Sequence, residues 1–383
     1  MLRNIPFGKP MIGKAEQDAV AGVLQGSVLV HGPKAREFEE AFAAYTKAPQ
    51  AVSVSSCTAA LHLFYFHLGI GHGDEVIVPA QTHNATAHAV ELTGAEPVFI
   101  DAEMQTGNIN ISQIESQITE RTKAISVVHY LGMPVEMDGI LNLAQKYNLK
   151  VVEDCALAVG SFYKGIHAGL YGDAGCFSFY PVKHMTTAEG GMLVTRDKEM
   201  AAGIIRKKAF GVDRTVNERS MPGLYDVTML GFNYRMSEIH AAIGIEQLKK
   251  IEDFLRQRQI NYEALTAGLR EIPEISLFQS TNGDFISSYY CHSVMLSDQL
   301  APKRFEIVKY LNENGVGTSI YYPRPVPHFT YYRQKYGFSL KSFPMAAKIS
   351  ANSIALPVGQ HLNEEDMNYI VQILKEAIRR SKS

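Results

Sequence analysis

Between about residues 50 and 200, short apolar runs rich in β-branched residues recur with helix-like segments between them: AVSVSS, DEVIVPA, EPVFID, KAISVVHY, LKVVEDC, AGCFSFY and GMLVT. DEVIVPA and LKVVEDC are apolar on both faces, as strands of a sheet covered on two sides are. Thr58 to Leu68 and Met137 to Tyr147 carry apolar residues at helical spacing. This alternation predicts an α/β fold built of βαβ units, with a largely parallel seven-stranded sheet covered by helices. Ligands of such sheets collect beyond the carboxyl ends of the strands. After residue 200 the pattern changes to one long helical stretch, MSEIHAAIGIEQLKKIEDFLRQRQINYEALTAGL. It predicts a helix that leaves a large domain of residues 1–250 and enters a smaller α+β domain of residues 251–383. That second part holds SSYYCHSVML, a helical PKRFEIVKYLNENG, an aromatic stretch SIYYPRPVPHFTYYRQKYG and a closing helix from near Asn363.

Composition narrows the function classes. Lys and Arg total 37 against 39 for Asp and Glu in 383 residues, so no excess charge suits nucleic acid or an anionic membrane. No apolar run approaches the roughly 20 residues of a spanning helix, and MLRNIPFGKP lacks the apolar stretch of a signal peptide. The expected compartment is the cytoplasm. The four cysteines, Cys57, Cys155, Cys176 and Cys291, form no CxxC pair, so reduced thiols are expected, with no metal site.

Three segments carry candidate chemistry. In GDAGCFSFYPVKHMTTAEGGMLVT, Lys183 follows a strand and a proline and precedes a Gly-Gly return into another strand. A lone lysine is usually a solvated surface group. Upstream, VVEDCALAVG ends an apolar strand with Glu153 and Asp154, placed either to meet a ligand in the crevice or to cap a helix. In SVSSCTAALHLF, Ser55, Ser56 and Thr58 lead from a strand into a helix, which suits anion binding and simple N-capping equally. Taken together, the three suggest a cofactor with a phosphate, a carbonyl for the lysine and a basic ring nitrogen for the carboxylate.

With these motifs in this order, the chain resembles the DegT/StrS family of sugar aminotransferases, pyridoxal-phosphate enzymes of the aspartate aminotransferase-like fold. The resemblance runs from IPFGKPMIGKAE and VHGPKAREFEEAFA through SSCTAALHL, GDEVIVPAQTHNATAHAV, VVEDCALAVG, SFYPVKHMTTAEGG and GFNYRMSEIHAAIG to IALPVGQHL. It implies that Lys183 carries pyridoxal 5′-phosphate covalently and that Asp154 pairs with the ring nitrogen. It also implies that Ser56, Cys57, Thr58 and Ser178 hold the phosphate, and that His83 stacks on the ring, where the family places an aromatic. Asn233 would reach the phosphate from a second subunit, making a homodimer with shared sites the working unit. Pyridoxamine 5′-phosphate would be the intermediate form. The partners implied are an amino donor, glutamate, and a nucleotide-linked keto sugar, with a 4-keto-6-deoxy sugar favoured by the N-terminal pattern.

The chain departs from the family at Leu157, where many relatives have Gln or His to bond the cofactor's phenolic oxygen, and at Cys57, where glycine is common. For the sugar, the candidate residues are Tyr321, Tyr322, Arg324 and His328 of SIYYPRPVPHF, together with His184. The stretch around His31, Gly32 and Lys34 is a further candidate rim by resemblance. Two rival readings remain: a sugar dehydratase of the same family, whose known variant has histidine for the lysine, and a regulatory relative that binds ligand without turnover.

Overall fold

The computed structural model describes residues 3–213, 221 and 224–382. Each of the seven apolar runs forms a strand of one sheet: β1 (Gln50–Val54), β2 (Glu75–Pro79), β3 (Glu96–Ile100), β4 (Thr122–Val128), β5 (Lys150–Asp154), β8 (Ala174–Ser178) and β9 (Gly191–Thr195). Two short strands, β6 (Phe162–Tyr163) and β7 (Ile166–His167), lie between them in sequence and pair with each other, outside this sheet. The order across the large sheet is β1-β9-β8-β5-β4-β2-β3. Pairings from β8 through β3 are parallel, and β9 runs antiparallel to both of its neighbours. One reversed strand therefore brings its amino end to the edge where the other strands present their carboxyl ends.

Helices cover the sheet for reasons legible in their sequences. The first two are α1 (Lys14–Gln25) and α2 (Pro33–Thr46). In α3 (Cys57–His67), every residue from Ala59 to Tyr65 is buried, as expected for a helix apolar all round. Next come α4 (Asn84–Glu91) and α5 (Met137–Tyr147), the latter started by Glu136, whose carboxylate accepts from the N–H groups of Asp138 and Gly139. α6 (Lys198–Lys207) follows β9. Where the sequence predicts one long helix there are two, α7 (Glu238–Leu248) and α8 (Ile251–Leu269).

The break has a physical cause. The carboxylate of Glu16, 1% exposed, accepts hydrogen bonds from Gln247 Nε2 and Lys250 Nζ and from the N–H of Gly13, tying both sides of the bend to the start of α1. α7 packs on α1 and α2, whereas α8 turns away onto the last helix.

A second core surrounds a three-stranded sheet, β10 (Ile275–Leu277), β12 (His292–Leu296) and β13 (Ser353–Leu356), while β11 (Phe285–Ile286) joins β6. α8, α9 (Arg304–Glu313) and α12 (Glu364–Lys382) contribute to that core, and α10 (Thr330–Tyr336) and α11 (Pro344–Asn352) fill the chain between. α12 buries Met367, Ile370, Val371, Leu374, Ala377 and Ile378, a helical stripe, and begins where Asn363 and Asp366 cap each other reciprocally. Ile5 reaches across the chain into this second core beside Val316. No helix among the described residues is long and apolar enough to cross a membrane.

Burial opposes ionisation of Glu16, but the bonds from Lys250, Gln247 and Gly13 outweigh it and bring its pKa down from 4.5 to about 2. A carboxylate with a depressed folded-state pKa stabilises fully above its unfolded value and loses that contribution as pH falls through the folded one. Urea denaturation should therefore show Glu16 stabilising the fold above about pH 4.5, with the contribution fading toward pH 2. Glu16→Gln should lower the urea midpoint at neutral pH and flatten that acid-side dependence; an unchanged midpoint and slope would remove Glu16 as the anchor of the bend.

Candidate active site

The carboxyl edge of the large sheet opens into a cavity of about 380 Å³ whose walls include Ser56, Cys57, Thr58, His83, Asp154 and Lys183. Their convergence follows from topology. Ser56 follows β1, His83 follows β2, Asp154 ends β5, Ser178 ends β8, and Lys183 lies in the β8–β9 connection. Register fixes the edge: Asp154 pairs with Val128 and Cys176, and Gly191 faces both Val54 and Ser178.

Asp154 is 5% exposed and held on both oxygens. The Thr86 hydroxyl donates to Oδ2 at 2.7 Å, and the N–H of Ala156 donates to Oδ1 at 3.0 Å. The Cys57 thiol lies 3.8 Å from Oδ1, and burial together with the Asp154 charge pushes that thiol well above its ordinary pKa, so it stays protonated. Burial lowers the pKa of the Lys183 amine, against opposition from the charge of Asp154 and weaker contributions from Cys57 and Cys291. Lys183 Nζ sits over the Tyr290 ring, 5.4 Å from its centroid. A lysine in this setting reaches its neutral, nucleophilic form more readily than a surface lysine does.

The amino end of α3 forms one floor of the cavity. Ser56 is its N-cap, with Oγ accepting from the N–H of Ala59 at 3.1 Å, so the capping role open from the sequence is realised. The N–H groups of Cys57 and Thr58, in the first helical turn, have no intrahelical acceptor and favour an anion. The Gly-Gly return explains itself here: a Cβ on Gly191 would lie 2.4 Å from the carbonyl carbon of Ser56 and 2.6 Å from the Cys57 nitrogen. Only glycine lets β9 start against this turn.

His83 caps α4, its Nδ1 accepting from the N–H of Ala85, which leaves the proton on Nε2. Burial lowers its pKa, so the ring is a neutral plate at the cavity wall, edge-on to Tyr322 with centroids 5.7 Å apart. Tyr321 and Tyr322 line the cavity as well. Gln81 Nε2 and the Tyr130 hydroxyl both donate to the Tyr321 carbonyl, and the Tyr321 and Tyr290 hydroxyls lie 2.7 Å apart. Leu157 adds an apolar side chain to the wall.

Several sequence candidates lie elsewhere. His184 is fully buried and points away: its Nε2 donates to the Ser288 carbonyl at 3.0 Å, and it packs against Tyr290. His328 is buried with Nε2 on the Ser342 carbonyl, so it pins a loop rather than facing a ligand. Arg324 lies over Phe329, outside the cavity wall. His31 and Lys34 do not line the cavity of their own chain. Lys34 opens α2, where its N–H and that of Ala35 are taken by the buried Glu238 carboxylate and its Nζ pairs with Glu37. Asn233 is exposed, bridged to Ala209, and likewise absent from its own chain's cavity.

Glu153 divides from its neighbour Asp154 because side chains alternate along β5. It is completely buried on the other face, and its oxygens accept from His129 Nε2 and from the N–H groups of Gly169, Tyr171 and Gly172. Burial works against its charge, but the His129 and backbone bonds prevail and its pKa lies below the ordinary value. Glu153, His129 and Cys155 lie close enough together to suggest a metal cluster. Four donors on the carboxylate give Glu153 a structural role instead. Thr86 is the residue that sequence reasoning missed; the visible signal is the pair of threonines four apart around His83 in THNATAHAV, Thr82 just ahead of the α4 cap and Thr86 in the first turn of α4.

These residues fit pyridoxal phosphate: a helix amino end for its phosphate, a buried carboxylate for its ring nitrogen, a flat neutral ring for its face and a lysine amine for its aldehyde. If the cradle depends on the close approach at Gly191, Gly191→Ala should destabilise the fold by about 1–3 kcal/mol in urea. It should also weaken binding of pyridoxamine phosphate in a titration. Full affinity with unchanged stability would mean that the turn tolerates displacement.

Comparison with known proteins agrees with the geometry. The sequence model of the DegT/DnrJ/EryC1/StrS aminotransferase family matches residues 10–375. The chain is 34% identical over 377 residues to GDP-perosamine synthase of Escherichia coli O157:H7, covering 98% of this chain and 99% of that protein. It is also 34% identical over 380 residues to the spore coat polysaccharide biosynthesis protein SpsC of Bacillus subtilis, covering 98% and 97%. Among solved structures, a sugar aminotransferase, Spr1654 of Streptococcus pneumoniae, in its PMP form superposes with a TM-score of 0.93 at 29% identity, covering 99% of this chain and all of that one. PseC of Helicobacter pylori, an aminotransferase of pseudoaminic acid biosynthesis, gives 0.92 at 26% identity, with 99% and 100% covered. With the lysine, the carboxylate and the anion-binding helix end converging in one cavity, the chain belongs to the DegT/DnrJ/EryC1/StrS aminotransferase family and is a pyridoxal-phosphate-dependent nucleotide-sugar aminotransferase.

Proposed function

We propose that the protein transfers the amino group of glutamate to a nucleotide-linked 4-keto-6-deoxy sugar, for amino-sugar or cell-surface polysaccharide synthesis. The observation that carries the reading is the shared cavity of Lys183 and Asp154, an amine made less basic by burial facing a carboxylate held at the sheet edge. Similarity to proteins named for GDP-perosamine and for spore coat polysaccharide supports the substrate class. Residues 1–250 serve as the cofactor-binding part and 251–383 as the smaller part, which contributes Tyr321 and Tyr322 to the cavity wall.

Bound pyridoxal phosphate supplies the electron sink for breaking the donor's Cα–H bond. The chain supplies placement and charge. Cys57 and Thr58 N–H groups, with the hydroxyls of Ser56, Thr58 and Ser178, would hold the phosphate; Asp154 would keep the ring nitrogen protonated; and His83 would cover the ring face. The Lys183 amine would carry the proton from the donor's α-carbon, acting as general base and then as acid. Tyr321 offers a surface for the sugar, and retention of Lys183 argues against the dehydratase reading. Asn233 would complete the phosphate site of the partner subunit in a homodimer; it is exposed and does not line the cavity of its own chain, as that role requires.

Incubation with GDP-, UDP- and dTDP-linked 4-keto-6-deoxy sugars and glutamate should yield the 4-amino sugar and 2-oxoglutarate, and Lys183→Ala should abolish this turnover while the fold is retained. Near-normal amination by Lys183→Ala, or no amination of any of these sugars by the parent, would overturn the proposal. The shared site has its own test. Lys183→Ala and Asn233→Asp proteins, each inactive alone, should recover about a quarter of parental activity after subunit exchange, because about half the dimers are mixed and each mixed dimer has one intact site. Proven exchange without recovery would place Asn233 outside the partner's site.

A further inference from the structure

Asp154 ends β5, whereas Thr86 lies in the first turn of α4, beyond the end of β2, and the intervening strand in the sheet is β4. The bond from Thr86 Oγ1 to Asp154 Oδ2, 2.7 Å long, therefore ties the ends of two strands that are not neighbours. Both partners are buried, Thr86 completely. Thr82 Oγ1 lies 2.8 Å from Thr86 Oγ1 and is itself 1% exposed.

Donor counting gives this row a direction. A hydroxyl has one proton, and an ionised carboxylate has none to give. Thr86 spends its proton on Asp154, so the bond between the threonines is donated by Thr82. With the Ala156 N–H on Oδ1, and the Cys57 thiol 3.8 Å from that same oxygen, each carboxylate oxygen then has at least one donor from the protein. The carboxylate plane is set from two sides, and its remaining lone pairs are left for the cavity. The same turn of α4 carries His83, so the hydroxyl that orients Asp154 also sets the spacing between the carboxylate and the ring plate.

We propose that Thr86 is a positioning residue for Asp154, that Thr82 fixes the direction of its proton, and that the pair locks the α4 turn to the end of β5 across β4. The proposal rests on the reading in which Asp154 meets the cofactor's ring nitrogen. A fixed carboxylate presents its charge to the ring without reorganising, whereas one freed of Thr86 turns toward other donors and loses part of that alignment.

The test uses the full chain stripped of cofactor and then reloaded. Thr86→Val keeps the branched shape and removes the hydroxyl. It should weaken pyridoxamine phosphate binding, measured by calorimetry, by about 10-fold or more, the scale on which outer-shell partners of bound groups act. In the reloaded enzyme kcat should fall about 10- to 100-fold while KM for the sugar moves less than about 2-fold. Thr86→Ser, which restores the donor, should return both quantities to within about 3-fold of the parent, and Thr82→Val should show a smaller loss than Thr86→Val. Should Thr86→Val fail to fold, Thr86→Ala carries the same expectation. Parental affinity for pyridoxamine phosphate in Thr86→Val or Thr86→Ala, or equal impairment of Thr86→Ser, would overturn the positioning role. Asp154→Asn separates the two readings: if it also binds pyridoxamine phosphate as the parent does, the assignment of Asp154 fails; if it binds weakly while Thr86→Val does not, only the role of Thr86 fails.

Discussion

A buried carboxylate at the wall of the cavity is the constraint on which the rest of the site depends. Taking Asp154 out of water is costly unless its oxygens are bonded. The fold meets that cost with a threonine hydroxyl from one strand end and a backbone N–H from its own. Once fixed, the charge shapes its surroundings. It helps keep the Cys57 thiol protonated and opposes the fall in Lys183's pKa that burial imposes. The lysine is thus held between two pressures, and the amine remains available both to bond an aldehyde and to carry a proton.

The sheet makes this arrangement possible through one reversed strand. With β9 antiparallel to β8 and β1, its first residue arrives beside the turn between β1 and α3, and the loop carrying Lys183 returns across the same edge as Asp154. Gly191 permits the contact. The chain beyond residue 250 contributes Tyr321 and Tyr322, which pack on the core of the large sheet, with the Tyr321 carbonyl held by Gln81 and Tyr130. A ligand in the cavity therefore touches elements distant in sequence, which is how chemistry at the sheet edge and recognition of a sugar can be built by different parts of the chain.

Much of this was legible in the sequence, because hydrophobic period reports burial directly. Every one of the seven apolar runs became a strand of the large sheet, and Met137–Tyr147 became a helix with those bounds. Lys183, Asp154 and Ser56 stand out by their places near strand ends and His83 by the family resemblance, and all four line one cavity. Other features depend on tertiary contacts that no local pattern encodes. The break after Leu248 has neither Gly nor Pro within it and arises from a buried carboxylate more than 200 residues earlier in the chain. His184 adjoins Lys183 in sequence yet turns into the interior to meet Ser288, and His328 is taken up by the Ser342 carbonyl beyond α10. Thr86 looked like an ordinary helix residue because its partner lies on another strand.

Asp154's charge acts on Lys183 in opposition to burial, and the titration of that amine reads the coupling directly. The rate at which cofactor-free protein bonds pyridoxal phosphate covalently, followed by absorbance as a function of pH, reports the neutral fraction of Lys183. The midpoint should lie below the ordinary lysine value of 10.5 in the parent. In Asp154→Asn it should move lower still, because the charge that holds the proton on the amine is gone while burial persists. A midpoint that stays in place or rises in Asp154→Asn would contradict the coupling on which the site is built.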